Sequence, residues 1–147
     1  MPRTTPRGLM AACLVLALSA CGSGTPEPAA GSLVPGAEQR HATQLRPGDC
    51  LVSIPGDLIA TLVPCGNPHA AEFGMIYVVP EGPWPGTERA TREAKSFCAP
   101  RLRVKADRRH EIEVSALPPI EEEWPRHRTA YCVAVARQGQ LVGRVLE

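Results

Sequence analysis

The order of apolar and polar residues beyond residue 44 predicts a sheet that starts with a hairpin. Two short apolar runs, "CLVSI" and "LIATLVPC", flank the turn sequence "PGD", so they are expected to pair as antiparallel strands. The run "AAEFGMIYVV", Ala70 to Val79, is rich in β-branched and aromatic residues and predicts a third strand. Gly74 in its middle predicts a bulge in that strand.

From Thr87 the apolar residues follow the spacing of a helix. Ala90, Ala94 and Cys98 recur every four positions with polar residues between them, which places them on one face. Thr87 is the predicted N-cap of this helix. Pro100 is expected either to kink the helix or to end it near Cys98.

The remaining chain predicts three more strands. "HEIEVSAL", His110 to Leu117, alternates apolar and polar residues as a half-buried strand does. After the loop "PPIEEEWPRHR", the runs "AYCVAVA" and "QLVGRVL" are predicted to form a closing hairpin with its turn at Gly139. The expected fold class is α+β, with a small antiparallel sheet of about five to six strands and one main helix packed on it.

The N-terminus has the pattern of a bacterial lipoprotein signal. Arg3 and Arg7 precede the apolar run "LMAACLVLAL", which is about half the length that a membrane-spanning helix requires. The following "LSAC" resembles a lipobox, so residues 1–20 are predicted to be a cleaved signal peptide and Cys21 the lipidated residue. Acyl chains, palmitate among them, would then hold the protein on the outer face of the cytoplasmic membrane. The alternative is a secreted protein in which Cys21 is incidental.

Composition divides the rest of the chain into a tether and one domain. Residues 21–44 are rich in Gly, Pro and Ala and are predicted to be a flexible tether, with the domain at residues 45–147. Lys and Arg number 16 against 15 Asp and Glu, and this balance gives no electrostatic reason to expect nucleic acid as a partner. Two Trp, two Tyr and two Phe do not suffice for a base-stacking platform.

The cysteines predict a disulfide framework. Of the six, Cys13 would leave with the signal and Cys21 would carry lipid, which leaves an even number in a small extracytoplasmic domain. These are Cys50, Cys65, Cys98 and Cys132. Three connectivities remain open from sequence alone. Local order favours Cys50 with Cys65, at the two ends of the first hairpin, and Cys98 with Cys132, between the helix and a late strand.

The stretch "VPCGNPHAAEF" gathers groups that could serve as a metal or catalytic site. A zinc site at His69 and Glu72 would need further ligands, and neither the other histidines nor the widely spaced cysteines supply them. A nucleophilic mechanism would need a reactive thiol, which a paired Cys65 is not. No metal, no cofactor and no catalytic residue is therefore predicted. The favoured interpretation is a structural corner in which His69 and Glu72 satisfy backbone or side-chain polar groups.

A binding role is the main alternative for this corner. His69 and Glu72 would then join two tryptophans, Trp84 and Trp124, in an exposed polar and aromatic patch. Trp84 lies within "GPWPG", where a large aromatic side chain is either packed over the core or offered to a partner.

The spacing of these motifs resembles the septum-formation domain of actinobacterial envelope proteins. The residues that carry the resemblance are "PGDC" (Pro47 to Cys50), the Val-x-Cys-x-x-Pro-His-x-x-Glu segment (Val63 to Glu72), Cys98, and a Pro, Trp, Arg and Cys ending (Pro118, Trp124, Arg128, Cys132). The resemblance covers residues 45–147. It adds Arg128 to the candidate site.

This resemblance implies an extracytoplasmic, membrane-tethered, cysteine-paired domain with no established enzymatic reaction and an association with division septa. The expected function is a non-enzymatic interaction module of the cell envelope, whose partner is an envelope or divisome protein or a cell-wall component. The alternatives are a hydrolase or metal-dependent enzyme that acts on the cell wall, and a sensor that binds a wall glycan or peptide.

Overall fold

Six strands form one antiparallel sheet in the order β1-β3-β2-β4-β6-β5 in the computed structural model, which describes residues 34–147. The strands are β1 Glu38–His41, β2 Cys50–Leu51, β3 Ile59–Val63, β4 Ala71–Val78, β5 Ile112–Leu117 and β6 Thr129–Ala136. The helix α1 spans Thr87–Cys98, and short 3₁₀ helices span Ala42–Gln44, Ala106–Glu111 and Glu121–Glu123. The predicted α+β class is confirmed. The predicted signal peptide, Cys21 and most of the predicted tether lie outside the described residues.

The long central strands β4 and β6 bury side chains on both faces of the sheet. Along β6, Ala130 to Ala134 are all buried, although successive side chains of a strand point to opposite faces. Tyr131 and Val133 join one core cluster with Phe73 of β4. Ala130 and Ala134 pack on the opposite face, against α1 and the C-terminal segment.

The predicted bulge in β4 is present at Gly74. The register of β4 against β6 shifts between Phe73 and Met75. A Cβ atom built on Gly74 would overlap Leu102 Cδ1 and would lie 2.9 Å from Leu146 Cδ1. Any larger residue at this position would therefore require Leu102 and Leu146 to move.

Helix α1 packs its alanine face on the sheet, as its spacing predicts. Ala90, Ala94 and Cys98 are buried, and Ala94 contacts the cluster formed with β5 and β6. The helix ends at Cys98, two residues before Pro100, rather than continuing through a kink. The predicted N-cap is wrong by one residue. Gly86 occupies that position with φ 85°, a conformation that suits glycine, and Thr87 is the first helical residue.

The predicted C-terminal hairpin does not form. Strand β6 is hydrogen-bonded to β4 on one edge and to β5 on the other, so it has no free edge for a closing strand. The C-terminal segment, residues 137–147, instead makes isolated bridges from Leu141 to His69 and from Leu146 to Val104. Leu141, Val145 and Leu146 fill a core cluster against that face of the sheet.

The folded domain begins before residue 45, where the tether was expected to end. Glu38–His41 pairs with β3, and Ala42 is fully buried. This strand was missed because it is a polar edge strand, "EQRH", whose side chains are exposed or half-buried and show no apolar alternation. Strand β1 is therefore the sixth strand of the sheet, in place of the strand that was predicted in "QLVGRVL".

Both favoured disulfides are present. Cys50 of β2 bonds to Cys65 just after β3, with their Cα atoms 5.3 Å apart. Cys98 at the end of α1 bonds to Cys132 of β6, with a Cα separation of 6.0 Å. The bonds close loops of 15 and 34 residues. In the chain-entropy description each stabilises the fold by about 3–4 kcal/mol. No helix among residues 34–147 has the length and apolar character needed to cross a membrane.

Candidate functional site

The turn after β3 is held against the C-terminal segment by backbone hydrogen bonds. Gly143 N donates to Cys65 O at 2.7 Å. His69 and Leu141 exchange two bonds, with N to O distances of 3.0 and 2.8 Å. Because Cys65 is also bonded to Cys50, this turn is fixed covalently on one side and by hydrogen bonds on the other.

His69 is a buried residue of this corner. Its side chain has 0% exposure, and its Nδ1 lies 2.8 Å from the Asn67 carbonyl oxygen. Since a carbonyl oxygen only accepts, the Nδ1–H group of His69 donates this hydrogen bond to Asn67 O. Within the described residues Nε2 has no hydrogen-bond partner. The sulfur of the neighbouring Cys65 is bonded to Cys50 in a disulfide, so it cannot act as a nucleophile.

Glu72 lies on β4 and anchors the end of the chain. Its side chain is fully buried, and Oε2 accepts from Val145 N at 2.5 Å and from Leu146 N at 3.2 Å. The other oxygen, Oε1, has no hydrogen-bond partner in the described part of the chain. Its closest cation is the guanidinium of Arg144, with Nη1 at 4.0 Å.

Arg144 packs against a second glycine, Gly48. Gly48 has φ 92°, and a Cβ atom on it would overlap Nη1 of Arg144. The Gly48 amide also donates to Phe73 O at 2.7 Å, which fixes the loop before β2 against β4. The arginine side chain therefore lies against backbone, directly beside the carboxylate of Glu72.

Glu72 and Arg144 line a cavity of about 270 Å³. Two more arginines, Arg101 and Arg103, are on its wall. The remaining lining residues are Pro47, Gly48, Gly74, Met75, Leu102, Leu146 and Glu147. Arg103 is paired with the Glu147 carboxylate at 2.7 Å. The cavity thus combines one buried carboxylate with a basic rim and an apolar wall.

The two tryptophans form a separate cluster. Trp84 and Trp124 are half-buried and meet edge to face, with ring centroids 5.4 Å apart and an interplanar angle of 63°. Trp124 Nε1 donates to Gly82 O at 3.0 Å. Arg128 joins the same end of the sheet, where its Nη1 donates to Val79 O at 3.0 Å. These contacts tie the loops at residues 79–84 and 124–128 together.

The predicted exposed patch of His69, Glu72, Trp84 and Trp124 is therefore wrong in its first two members. Both of these side chains are fully buried, because the C-terminal segment covers them, while Trp84 and Trp124 stay partly exposed. Residues 34–147 contain no group of three or more His, Cys, Asp or Glu side chains placed to hold a metal ion.

The sequence pattern indicates Glu72 as a candidate residue but does not predict the cavity beside it. Arg101 belongs to the segment after α1, and Arg144 belongs to a segment that was assigned to a hairpin. Nothing in the local pattern at Arg144 indicates contact with residue 72, which lies far away in sequence. A comparison of the chain with protein-family models, with curated proteins and with solved structures found no match.

Proposed function

We propose that this chain is a lipid-anchored, extracytoplasmic, non-enzymatic interaction module of the bacterial cell envelope. The observation that carries the proposal is the pairing of Cys50 with Cys65 and of Cys98 with Cys132. Disulfides persist in oxidising compartments and are rare in the cytosol. Together with the predicted signal peptide at residues 1–20, this pairing supports a location on the outer face of the cytoplasmic membrane.

The structural contacts of Cys65, His69 and Glu72 support a role without catalysis. Cys65 is oxidised, and His69 and Glu72 are buried in contacts that hold the turn and the C-terminal segment in place. A cell-wall hydrolase would instead need groups such as Cys65 and His69 free and open to substrate. The partly exposed pair Trp84 and Trp124 offers a surface of the kind that protein interfaces favour.

A role at the division septum is part of the proposal. It rests on the resemblance of residues 45–147 to the septum-formation domain, through the motifs that include Cys65, His69 and Glu72. The partner would be an envelope or divisome protein, or a cell-wall component.

Cell fractionation of a Cys21→Ser variant tests the membrane anchor. The wild-type chain is expected in the membrane fraction, and the variant is expected in the soluble extracytoplasmic fraction, because it lacks the thiol that carries lipid. Cys13→Ser is the matched control, since this residue would be removed with the signal peptide. Retention of the Cys21→Ser chain on membranes would refute lipid anchoring.

A second candidate function is that of a sensor for a small wall-derived ligand. The cavity beside Glu72 favours it, because Oε1 of this buried carboxylate has no hydrogen-bond partner among residues 34–147. Buried polar atoms are nearly always hydrogen-bonded, so such an atom at a cavity wall is typical of a binding site.

A further inference from the structure

We infer that the cavity beside Glu72 binds an α-amino carboxylate, either a free amino acid or the carboxyl end of a short peptide. In this arrangement the α-nitrogen donates to Glu72 Oε1, and the ligand carboxylate is held by Arg144 and Arg101. The inference deepens the sensor function proposed above and rests on it.

Glu72 provides a fixed acceptor. Its side chain is 1% exposed, and the two backbone amides bound to Oε2 hold the carboxylate in one orientation. Oε1 is left without a donor in the described residues, and Arg144 Nη1 at 4.0 Å is beyond hydrogen-bond distance. The acceptor is therefore available to an N–H or O–H group of a molecule within the cavity.

Two arginines supply donors for an anionic group. Arg144 has a side-chain exposure of 60%, so its guanidinium lies at the mouth of the cavity. Arg101 is stacked over the Phe97 ring at 4.0 Å, and its Nη1 donates to Phe97 O at 2.7 Å. Stacking and this bond orient the guanidinium, and its other N–H groups are available to a ligand. Arginine is well suited to carboxylates because its donors match both oxygens.

Charge and size restrict the ligand class. With Arg103 paired to Glu147, the remaining charges are two arginines and one carboxylate, which favours a ligand with an anionic group and disfavours a bare metal cation. The volume of about 270 Å³ is near the lower end of the range for ligand pockets. Met75, Leu102 and Leu146 form an apolar wall for a small side chain. A ligand of one or two amino-acid residues has the anionic group, the small volume and the small apolar side chain that this cavity favours.

Calorimetric titration of the full-length chain, extracted in detergent, tests this assignment. The probe is alanyl-alanine, and its methyl ester, which lacks the carboxylate, is the comparison ligand. Binding of the acid at least roughly tenfold tighter than the ester is expected, since a hydrogen-bonded charge contact is lost. Equal affinities for acid and ester, or no binding of either alanyl-alanine or alanine at millimolar concentration, would overturn the inference.

Two arginine variants locate the site. Arg144→Gln should weaken binding of alanyl-alanine by roughly tenfold or more, whereas Arg109→Gln should change it by less than about twofold. Arg109 is the matched control because it is exposed and does not line this cavity. Equal effects of the two variants would overturn the inference, since they would indicate non-specific attraction.

Further probes identify the acceptor and the source of the ligand. Glu72→Gln replaces one carboxylate oxygen by an N–H donor and should abolish binding, provided that its circular dichroism matches the wild type. Retained binding in a folded Glu72→Gln chain would contradict the role of Oε1. Alanine and N-acetylalanine separate the two sources, because only a peptide-end site binds the acetylated form more tightly. The Cys21→Ser chain should bind as the wild type does, so loss of the anchor and loss of the ligand site give different results.

Discussion

The substitution Glu72→Ala should destabilise the domain more than any change to a surface carboxylate. It removes the acceptor for two backbone amides, Val145 N at 2.5 Å and Leu146 N at 3.2 Å, in a site with 0% exposure. Both amides would stay buried, because Val145 and Leu146 are part of a core cluster.

The magnitude follows from those two bonds. A hydrogen bond to a charged group contributes about 1.5–3 kcal/mol, so their loss costs about 3–6 kcal/mol. Removal of the unpaired Oε1 returns part of this cost, which leaves an expected loss of about 2–4 kcal/mol in the free energy of unfolding. This is a large fraction of the ~5–15 kcal/mol that is typical of small domains.

Urea unfolding of the oxidised protein measures this loss, with amide hydrogen exchange as a local readout. Exchange at Val145 and Leu146 should accelerate more than exchange at the central strand β6, since the C-terminal segment loses its anchor first. Glu88→Ala is the control, because Glu88 forms an exposed ion pair with Arg92 and should change stability by less than about 0.5 kcal/mol. A loss below about 1 kcal/mol for Glu72→Ala would refute the anchoring role of this residue.

Two further predictions concern packing and alkaline stability. Gly74→Ala should lower the free energy of unfolding by about 1–3 kcal/mol, because its Cβ would overlap Leu102, whereas Gly56→Ala, with open space around it, should cost much less in the same urea assay. Burial raises the pKa of the Tyr131 phenol above its ordinary value of 10.0, with the charge of Glu123 as a smaller cause. A raised pKa in the folded state means that its contribution to stability is complete below pH 10.0 and is lost as pH rises through the folded pKa. Melting temperatures measured across this alkaline range should fall less steeply for Tyr131→Phe than for Tyr77→Phe, and identical slopes would contradict this assignment.

The local pattern of the sequence was sufficient for much of the fold. The turn "PGD" between two apolar runs predicted the β2–β3 hairpin, and the four-residue spacing from Ala90 to Cys98 predicted the face on which α1 packs. These two features place Cys50, Cys65 and Cys98, and Cys132 lies on the predicted strand that became β6. The favoured pairing therefore followed from local order and is confirmed.

The C-terminal hairpin and the start of the domain were predicted wrongly because strand pairing in the folded sheet outweighs the local sequence pattern. The run "QLVGRVL" has the composition of a strand, but β6 already has neighbours on both edges, so this run packs as an irregular segment over Glu72. Conversely, "EQRH" has no strand pattern and still pairs along the edge of β3. The cavity could not be predicted, because Arg144 reaches Glu72 only through that irregular segment.

The central claim is that Cys21 carries lipid and that the other four cysteines of the processed chain are paired. Mass spectrometry of the full-length gene product recovered from membranes tests it most directly, with peptides alkylated before and after reduction. We expect an acylated N-terminal peptide that starts at Cys21, with Cys50, Cys65, Cys98 and Cys132 protected from alkylation until reduction. An unacylated Cys21, or free thiols at those four positions before reduction, would contradict it.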